Sequence, residues 1–80
     1  MIITLKKVHR RNQYGEYCIN EYHNGTKVDE CTYFTDDRQD LDNTFLCIID
    51  NYTRFSNYKV VAKEKKACVE IVILAKGGIR

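Results

Sequence analysis

The dipeptide Asn24-Gly25 constrains the fold of this chain more than any other local feature. This pair is preferred in two-residue type I′ turns, because both positions of such a turn have a positive φ. Runs rich in Tyr, Ile, Val, Thr and Phe flank it over residues 17–23 and 26–34, and these residue types favour strands. The sequence therefore predicts a β-hairpin in the first half of the chain.

The turn also predicts which residues of the hairpin face one another. With a two-residue loop, Tyr22 faces Lys27 and Cys18 faces Cys31. The two cysteines fall on a non-hydrogen-bonded pair, where Cα atoms lie about 4.5 Å apart and within reach of a disulfide. A pair of structural thiols and a bridged or redox-active pair are both open interpretations. No export signal is visible in the sequence, so we expect reduced thiols.

The rest of the chain predicts three further strands and one helix. Residues 2–10 form a strand before the hairpin, and residues 58–63 and 67–76 form two strands after the helix. Thr35 or Asp36 is expected to cap the helix, whose apolar stripe at helical spacing is Leu41, Phe45, Ile48, Ile49, Tyr52 and Phe55. The predicted fold class is α+β, in the order β-β-β-α-β-β, with one amphipathic helix packed on one face of a mostly antiparallel sheet.

Eighty residues leave room for one domain with a thin core. We expect a single compact α+β domain over residues 1–76 and a flexible tail over residues 77–80. One helix covers only one face of the sheet, so the other face needs polar residues, a partner or a second copy of the chain. A homodimer built through this face or through the final strand is therefore one hypothesis.

No catalytic, metal or cofactor motif is visible. The four cysteines form no C-x-x-C pair, and His23 lies on the opposite side of its strand from Cys18. Both observations disfavour a metal site. The histidines are therefore interpreted as ordinary surface residues. Residues 64–66 offer the acid-x-Lys pattern of metal-dependent nucleases but fall at a predicted turn. The apolar run over residues 71–75 is too short to span a membrane. We expect a cytoplasmic protein that is not an enzyme and has no cofactor.

The net charge of +2 is unevenly distributed along the chain. Residues 1–15 have a balance of +4, residues 16–53 a balance of −7, and residues 54–80 a balance of +5. This distribution excludes both a uniformly polybasic nucleic-acid binder and a uniformly polyanionic DNA mimic. It favours a protein that docks on another macromolecule.

Two charged sets are candidate binding surfaces. The acidic set, with a neighbouring aromatic residue, comprises Asp29, Glu30, Tyr33, Asp36, Asp37 and Asp40. Its two interpretations are helix capping plus solubility, and a docking surface for the Arg and Lys side chains of a partner. The basic set comprises Lys6, Lys7, Arg10, Arg11, Lys63, Lys65 and Lys66. Its two interpretations are surface charge that keeps a small protein soluble, and a nucleic-acid surface formed where the first strand lies near the last two.

The segment from Gly15-Glu16-Tyr17 through Asn24-Gly25 to Tyr33-Phe34-Thr35-Asp36-Asp37, followed at once by the amphipathic helix, resembles small phage proteins that include anti-CRISPR proteins. The resemblance is architectural and covers residues 14–55. Members of that family share no diagnostic motif, so the resemblance assigns no residue roles. It implies a compact cytosolic protein that acts stoichiometrically, by occupying a nucleic-acid or effector site of a CRISPR complex.

These features lead to one main hypothesis and one alternative. The main hypothesis is a non-enzymatic inhibitor from a phage or mobile element that blocks a host-defence complex through the local acidic set. The expected partner is a CRISPR–Cas effector, in the cytoplasm of a bacterial host. The alternative is a small nucleic-acid-binding module that uses the basic terminal strands.

Overall fold

A computed structural model of the protein describes residues 2–54, 58–64 and 68–75. They form one helix packed against a six-stranded antiparallel sheet, which confirms the predicted α+β class. The strands are β1 (Ile2–Val8), β2 (Tyr17–His23), β3 (Thr26–Lys27), β4 (Tyr33–Thr35), β5 (Tyr58–Glu64) and β6 (Cys68–Ala75), and the helix α1 is Arg38–Thr53. Residues 65 and 66 of the predicted turn, and the predicted tail at residues 77–80, lie outside the described residues.

The sheet places β1 at its centre. β2 and β6 pair with the two sides of β1, and β5 pairs with the outer side of β6. The short strands β3 and β4 both pair with the outer side of β2. The first three strands therefore form an antiparallel meander. β6 lies between β1 and β5 and is therefore an interior strand of the sheet.

The hairpin turn has the predicted geometry. Asn24 and Gly25 have φ values of 53° and 87°, both in the left-handed region that a type I′ turn requires. Tyr22 and Lys27 face each other across the turn, as expected. Asn24 also fixes the turn to β1, because its side-chain Oδ1 accepts a hydrogen bond from the backbone N–H of Ile2 at 2.9 Å.

The strand after the turn is interrupted by a 3-10 turn at Asp29–Cys31. These three residues shift the register by three when pairing with β2 resumes in β4, so Cys18 faces Phe34. The predicted Cys18–Cys31 pair is therefore wrong, and both residues are free thiols. Strand propensity does not reveal the interruption, because residues 26–34 favour a strand throughout.

The cap of α1 is Asp37, one residue after Asp36, the later of the two predicted caps. Its carboxylate accepts hydrogen bonds from the backbone N–H groups of Gln39, at 2.9 Å, and Asp40, at 3.4 Å. Thr35 instead accepts a hydrogen bond from the N–H of Asp37 at 3.2 Å. The prediction of Thr35 or Asp36 as the cap is wrong, because consecutive Asp residues satisfy the capping preference equally well.

The core lies between one face of α1 and one face of the sheet. Leu41 and Phe45 are buried in it. The sheet residues of the core are Ile3, Leu5, Ile19, Ile71 and Ile73. The predicted helical stripe continues as partly buried Ile48, Ile49 and Tyr52, while Phe55 lies outside the described residues. Removing a buried aromatic such as Phe45 leaves a cavity that costs about 3–5 kcal/mol, so this contact holds α1 on the sheet.

The second face of the sheet, which we call the open face, carries no helix in the described part of the chain. It presents the even-numbered residues of β1, β2, β4 and β6, together with Val61 and Lys63 of β5. Side chains alternate along a strand, and the odd-numbered residues of β1 lie on the helix side. Ile2 and Phe34 on this face are 45% and 52% exposed. The open face is therefore accessible to another molecule.

Candidate functional site

The acidic set predicted from the sequence lies along one margin of the sheet. Asp29 and Glu30 are in the 3-10 turn before β4, Tyr33 is in β4, and Asp36, Asp37 and Asp40 follow at the start of α1. Among the described strands, β4 pairs only with β2, so this margin is an edge of the sheet. The structure thus brings carboxylates from the hairpin and from the helix start to the two ends of one short edge strand.

Two members of this set hold the start of the helix. Asp37 is its cap, and Asp40 accepts hydrogen bonds from the hydroxyl of Tyr33 at 2.5 Å and from that of Thr44 at 3.3 Å. The hydrogen bond from Tyr33 lowers the pKa of Asp40 and raises the pKa of Tyr33, because it stabilises the ionised carboxylate beside the neutral phenol. Asp37, Asp40 and Tyr33 therefore have structural roles.

Asp29, Glu30 and Asp36 are the exposed carboxylates of the set that do not cap the helix, and we call them the acidic edge. The side chain of Asp29 is 88% exposed, and its Oδ1 lies 3.5 Å from Nζ of Lys27, a weak surface contact. Asp36 contributes its backbone carbonyl, which accepts a hydrogen bond from Nη2 of Arg11 at 3.3 Å. Within residues 2–54, no helix cap and no buried hydrogen bond uses the carboxylates of the acidic edge.

Lys6 and Lys7 of the basic set point to opposite faces, because they are neighbours in β1. Nζ of Lys6 lies 5.0 Å from the ring centroid of Tyr22 on the open face. Nζ of Lys7 lies 2.8 Å from Oδ1 of Asp42 beneath the helix, and the Lys7 side chain is only 13% exposed. This contact lowers the pKa of Asp42. Lys7 therefore links β1 to α1 and is not presented to solvent.

The other described basic residues lie in the loop after β1 and on β5. The guanidinium of Arg11 lies 4.9 Å from the ring centroid of Tyr17 and donates to the carbonyl of Gly15 at 3.4 Å. Arg10 is exposed after β1, Lys63 is exposed on β5, and Lys65 and Lys66 lie outside the described residues. Of the described members of the basic set, Lys6 and Lys63 lie on the open face, Lys7 lies on the helix side, and Arg10 and Arg11 follow β1 in a loop.

A buried carboxylate in β2 is the polar feature that the sequence did not reveal. Glu21 is 4% exposed, and its Oε2 accepts a hydrogen bond from the hydroxyl of Tyr52 and lies 2.5 Å from Nε2 of His23. The rings of His23 and Tyr52 also meet edge to face, with centroids 6.5 Å apart. His23 is therefore half-buried in a polar cluster, and its prediction as an ordinary surface residue is wrong. The signal in the sequence was a charged residue at an inward position of β2, two residues from Ile19.

Cys31 lies at the rim of this cluster. Partial desolvation raises the pKa of its thiol, and the negative charges of Glu21 and Glu30 raise it further. Desolvation also raises the pKa of Cys18. A reactive cysteine needs positive surroundings that favour the thiolate. Cys31 has negative surroundings instead, and at Cys18 desolvation outweighs the favourable charge of Lys27.

The described residues hold no metal site or membrane-spanning helix. No group of three or more His, Cys, Asp or Glu side chains among them is placed to bind a metal ion. The helix that they form is not long and apolar enough to cross a membrane. No family model, curated protein or solved structure matches this chain. Function is therefore inferred from the geometry and charge of the described residues.

Proposed function

We propose that this chain is a small non-enzymatic binding protein that docks through the acidic edge onto a basic surface of another macromolecule. The observation that carries this proposal is the placement of three exposed carboxylates, Asp29, Glu30 and Asp36, at the two ends of an edge strand. The three-residue strand β4 separates them by about 10 Å. One groove lined by Arg and Lys side chains can therefore contact both ends.

The carboxylates of the acidic edge do not help the chain to fold, but they are complementary in charge to a basic partner. Like charges gathered at one margin repel one another and lower stability. The same charges accelerate association with a basic partner and disfavour acidic ones. Asp37 caps the helix and Asp40 accepts a hydrogen bond from Tyr33, so folding accounts for both of these carboxylates. It does not account for the three carboxylates of the acidic edge.

The resemblance to anti-CRISPR proteins supports a definite partner class. CRISPR effector complexes hold guide RNA and target DNA in positively charged channels, and an acidic edge is complementary to such a channel. The proposed activity is stoichiometric inhibition of a host-defence complex by occupation of its channel, in the bacterial cytoplasm. The protein performs no chemistry in this scheme.

A triple substitution tests the acidic edge without disturbing the helix start. The changes Asp29→Asn, Glu30→Gln and Asp36→Asn remove three charges, keep the side-chain sizes and spare Asp37 and Asp40. Titration of purified CRISPR effector complexes should give an affinity at least about tenfold lower than that of the wild type, mainly through slower association. The wild-type affinity should also fall as salt concentration rises.

The matched control removes carboxylates elsewhere. Glu16→Gln combined with Asp50→Asn should leave affinity unchanged, and thermal denaturation should show that both variants remain folded. An unchanged affinity of the triple variant would overturn the acidic edge as the contact surface. If no effector complex binds the wild type, the CRISPR partner class is wrong. Capture from a bacterial lysate then tests the broader proposal, which fails if the wild type and the triple variant retain the same proteins.

A further inference from the structure

The open face consists of apolar rows on either side of one polar row. Residues that face each other across neighbouring strands form each row. The polar row is Lys63, Glu70, Lys6 and Asn20. Towards the hairpin lie Val61, Val72, Thr4 and Tyr22, and beyond them Leu74 and Ile2. On the opposite side of the polar row lie Cys68, Val8, Cys18 and Phe34.

Two large hydrophobic residues on this face, Ile2 and Phe34, are 45% and 52% exposed. Seven buried hydrophobic residues form the whole described core, all on the helix side, and a chain of this size is correspondingly marginal in stability. Apolar side chains exposed beside polar ones are typical of an interaction site. The charge pattern of the polar row shows which occupant fits.

We propose that a second copy of this chain covers the open face, in a dimer whose two-fold axis runs parallel to the strands between β1 and β6. This axis lays β1 of each copy on β6 of the other, as in aligned sheet packing. Lys6 then faces Glu70 of the partner subunit. The symmetry repeats this contact, so two pairs of opposite charge lie at the centre of the interface.

The same axis brings apolar residues together at both ends of the face. Ile2 faces Leu74 of the partner subunit, and Val8 faces Cys68 of the partner subunit. Farther from the axis β5 lies on β2, where Val61 faces Tyr22 of the partner subunit. The face is therefore complementary to itself in charge and in hydrophobicity.

The other simple arrangement brings like charges together. A two-fold axis perpendicular to the strands, along the polar row, places Lys6 on Lys6 of the partner subunit. It also places Glu70 on Glu70 of the partner subunit. Like charges that meet in an interface cost several kcal/mol, so the charge pattern selects the axis parallel to the strands.

The size of the face sets the expected strength. Four long strands about 4.8 Å apart, each about seven residues long, cover roughly 450 Å². Two copies thus bury roughly 900 Å², which is below the roughly 1,200 Å² of specific, stable interfaces and in the range of weak, transient ones. We expect a dimer that dissociates on dilution, with a dissociation constant in the micromolar range or weaker.

This dimer does not rest on the proposed docking function. The axis places the two acidic edges on opposite sides of the assembly, beyond the contact of β5 with β2, where both stay exposed. A monomeric protein would leave the docking proposal intact, and a failure of docking would leave the dimer intact.

Charge reversal followed by mixing tests the central contact. Sedimentation of the wild type over a wide concentration range should show a species of twice the 9.4 kDa chain mass. Lys6→Glu or Glu70→Lys alone places like charges at both central contacts and should raise the dissociation constant at least about tenfold. Mixing the two variants should restore the dimer, because opposite charges then meet at both contacts. Lys6 and Glu70 are also cross-strand neighbours within each chain, and they remain like-charged in the mixture, so recovery reports the contact between chains.

Matched controls and a second variant make the outcome decisive. Asp50→Lys and Arg54→Glu each break an ion pair at the end of α1, away from the open face, and should leave association unchanged. If the reversed variants do not fold, Thr4→Arg beside the polar row should weaken the dimer by a similar factor. A wild type that stays monomeric at every concentration overturns the proposal. So does a dimer that is insensitive to the open-face changes, or a mixture of folded K6E and E70K chains that does not recover.

Discussion

The hydroxyl of Tyr52, near the end of α1, donates a hydrogen bond to the buried carboxylate of Glu21 in β2. Among the residues that the structure describes, Glu21 is the buried charged residue. His23 lies against the same carboxylate oxygen. A buried carboxylate that loses a partner is strongly destabilising, so this contact ties the end of the helix to the strand beneath it.

Tyr52→Phe tests this tie. The change removes one hydrogen-bond donor and leaves a buried acceptor with less than its full set of partners. We expect the free energy of unfolding to fall by about 1–3 kcal/mol, measured by urea denaturation at neutral pH. Tyr14→Phe is the matched control, since Tyr14 is 76% exposed, and it should change stability by less than about 0.5 kcal/mol. Equal stability of the two variants would contradict the assigned role of Tyr52.

Asp37→Ala tests the position of the helix cap. The substitution removes the acceptor for the N–H groups of Gln39 and Asp40, and loss of such a cap costs about 0.5–2 kcal/mol. Asp36→Ala removes the same charge one residue earlier and should cost less, because Asp36 caps nothing. Denaturation of both variants by urea gives the comparison, and a larger loss for Asp36→Ala would place the cap at Asp36.

The hydrogen bond from Tyr33 makes stability depend on pH through Asp40. The pKa of Asp40 is lowered from its ordinary value of 3.8, so the contribution is fully present above that pH and is lost as the pH falls through the lower pKa of the folded state. Tyr33→Phe should move the pKa of Asp40 back towards 3.8, as followed by NMR of the carboxyl carbon. The loss of stability in this variant should shrink below pH 3.8. The titration of Asp42, paired with Lys7, is the internal control and should not change.

Local chemistry explains which parts of the fold are predictable from the sequence. Asn24-Gly25 specifies its turn through backbone conformation, and the apolar stripe from Leu41 to Tyr52 specifies the buried side of α1. The 3-10 turn at Asp29–Cys31 has no comparable signal, so the register beyond it was predicted incorrectly. One interruption of three residues is enough to move Cys31 away from Cys18.

The candidate site was predictable in composition but not in function. The acidic residues do gather at one margin, yet which of them cap or accept hydrogen bonds depends on where α1 begins and where Tyr33 lies. The contact between Glu21 and Tyr52 joins residues 31 positions apart, and only the packing of helix on sheet brings them together. Lys6 and Lys7 are likewise neighbours in β1, but Lys6 contacts Tyr22 on the open face and Lys7 pairs with Asp42 on the helix side.

The four thiols provide a chemical test of the register. Cys31 and Cys47 are exposed, whereas Cys18 and Cys68 are half-buried on the open face. Maleimide should therefore label Cys47 before Cys18 and Cys68, as measured by mass spectrometry of peptides. Cys31 should react more slowly than its exposure alone implies at neutral pH, because its raised pKa lowers the thiolate fraction, and this delay should shrink as the pH rises.

Since Cys18 faces Phe34, mild oxidation should give no disulfide between Cys18 and Cys31 within a chain. A peptide cross-linked through that pair would show that the strand continues without the 3-10 turn.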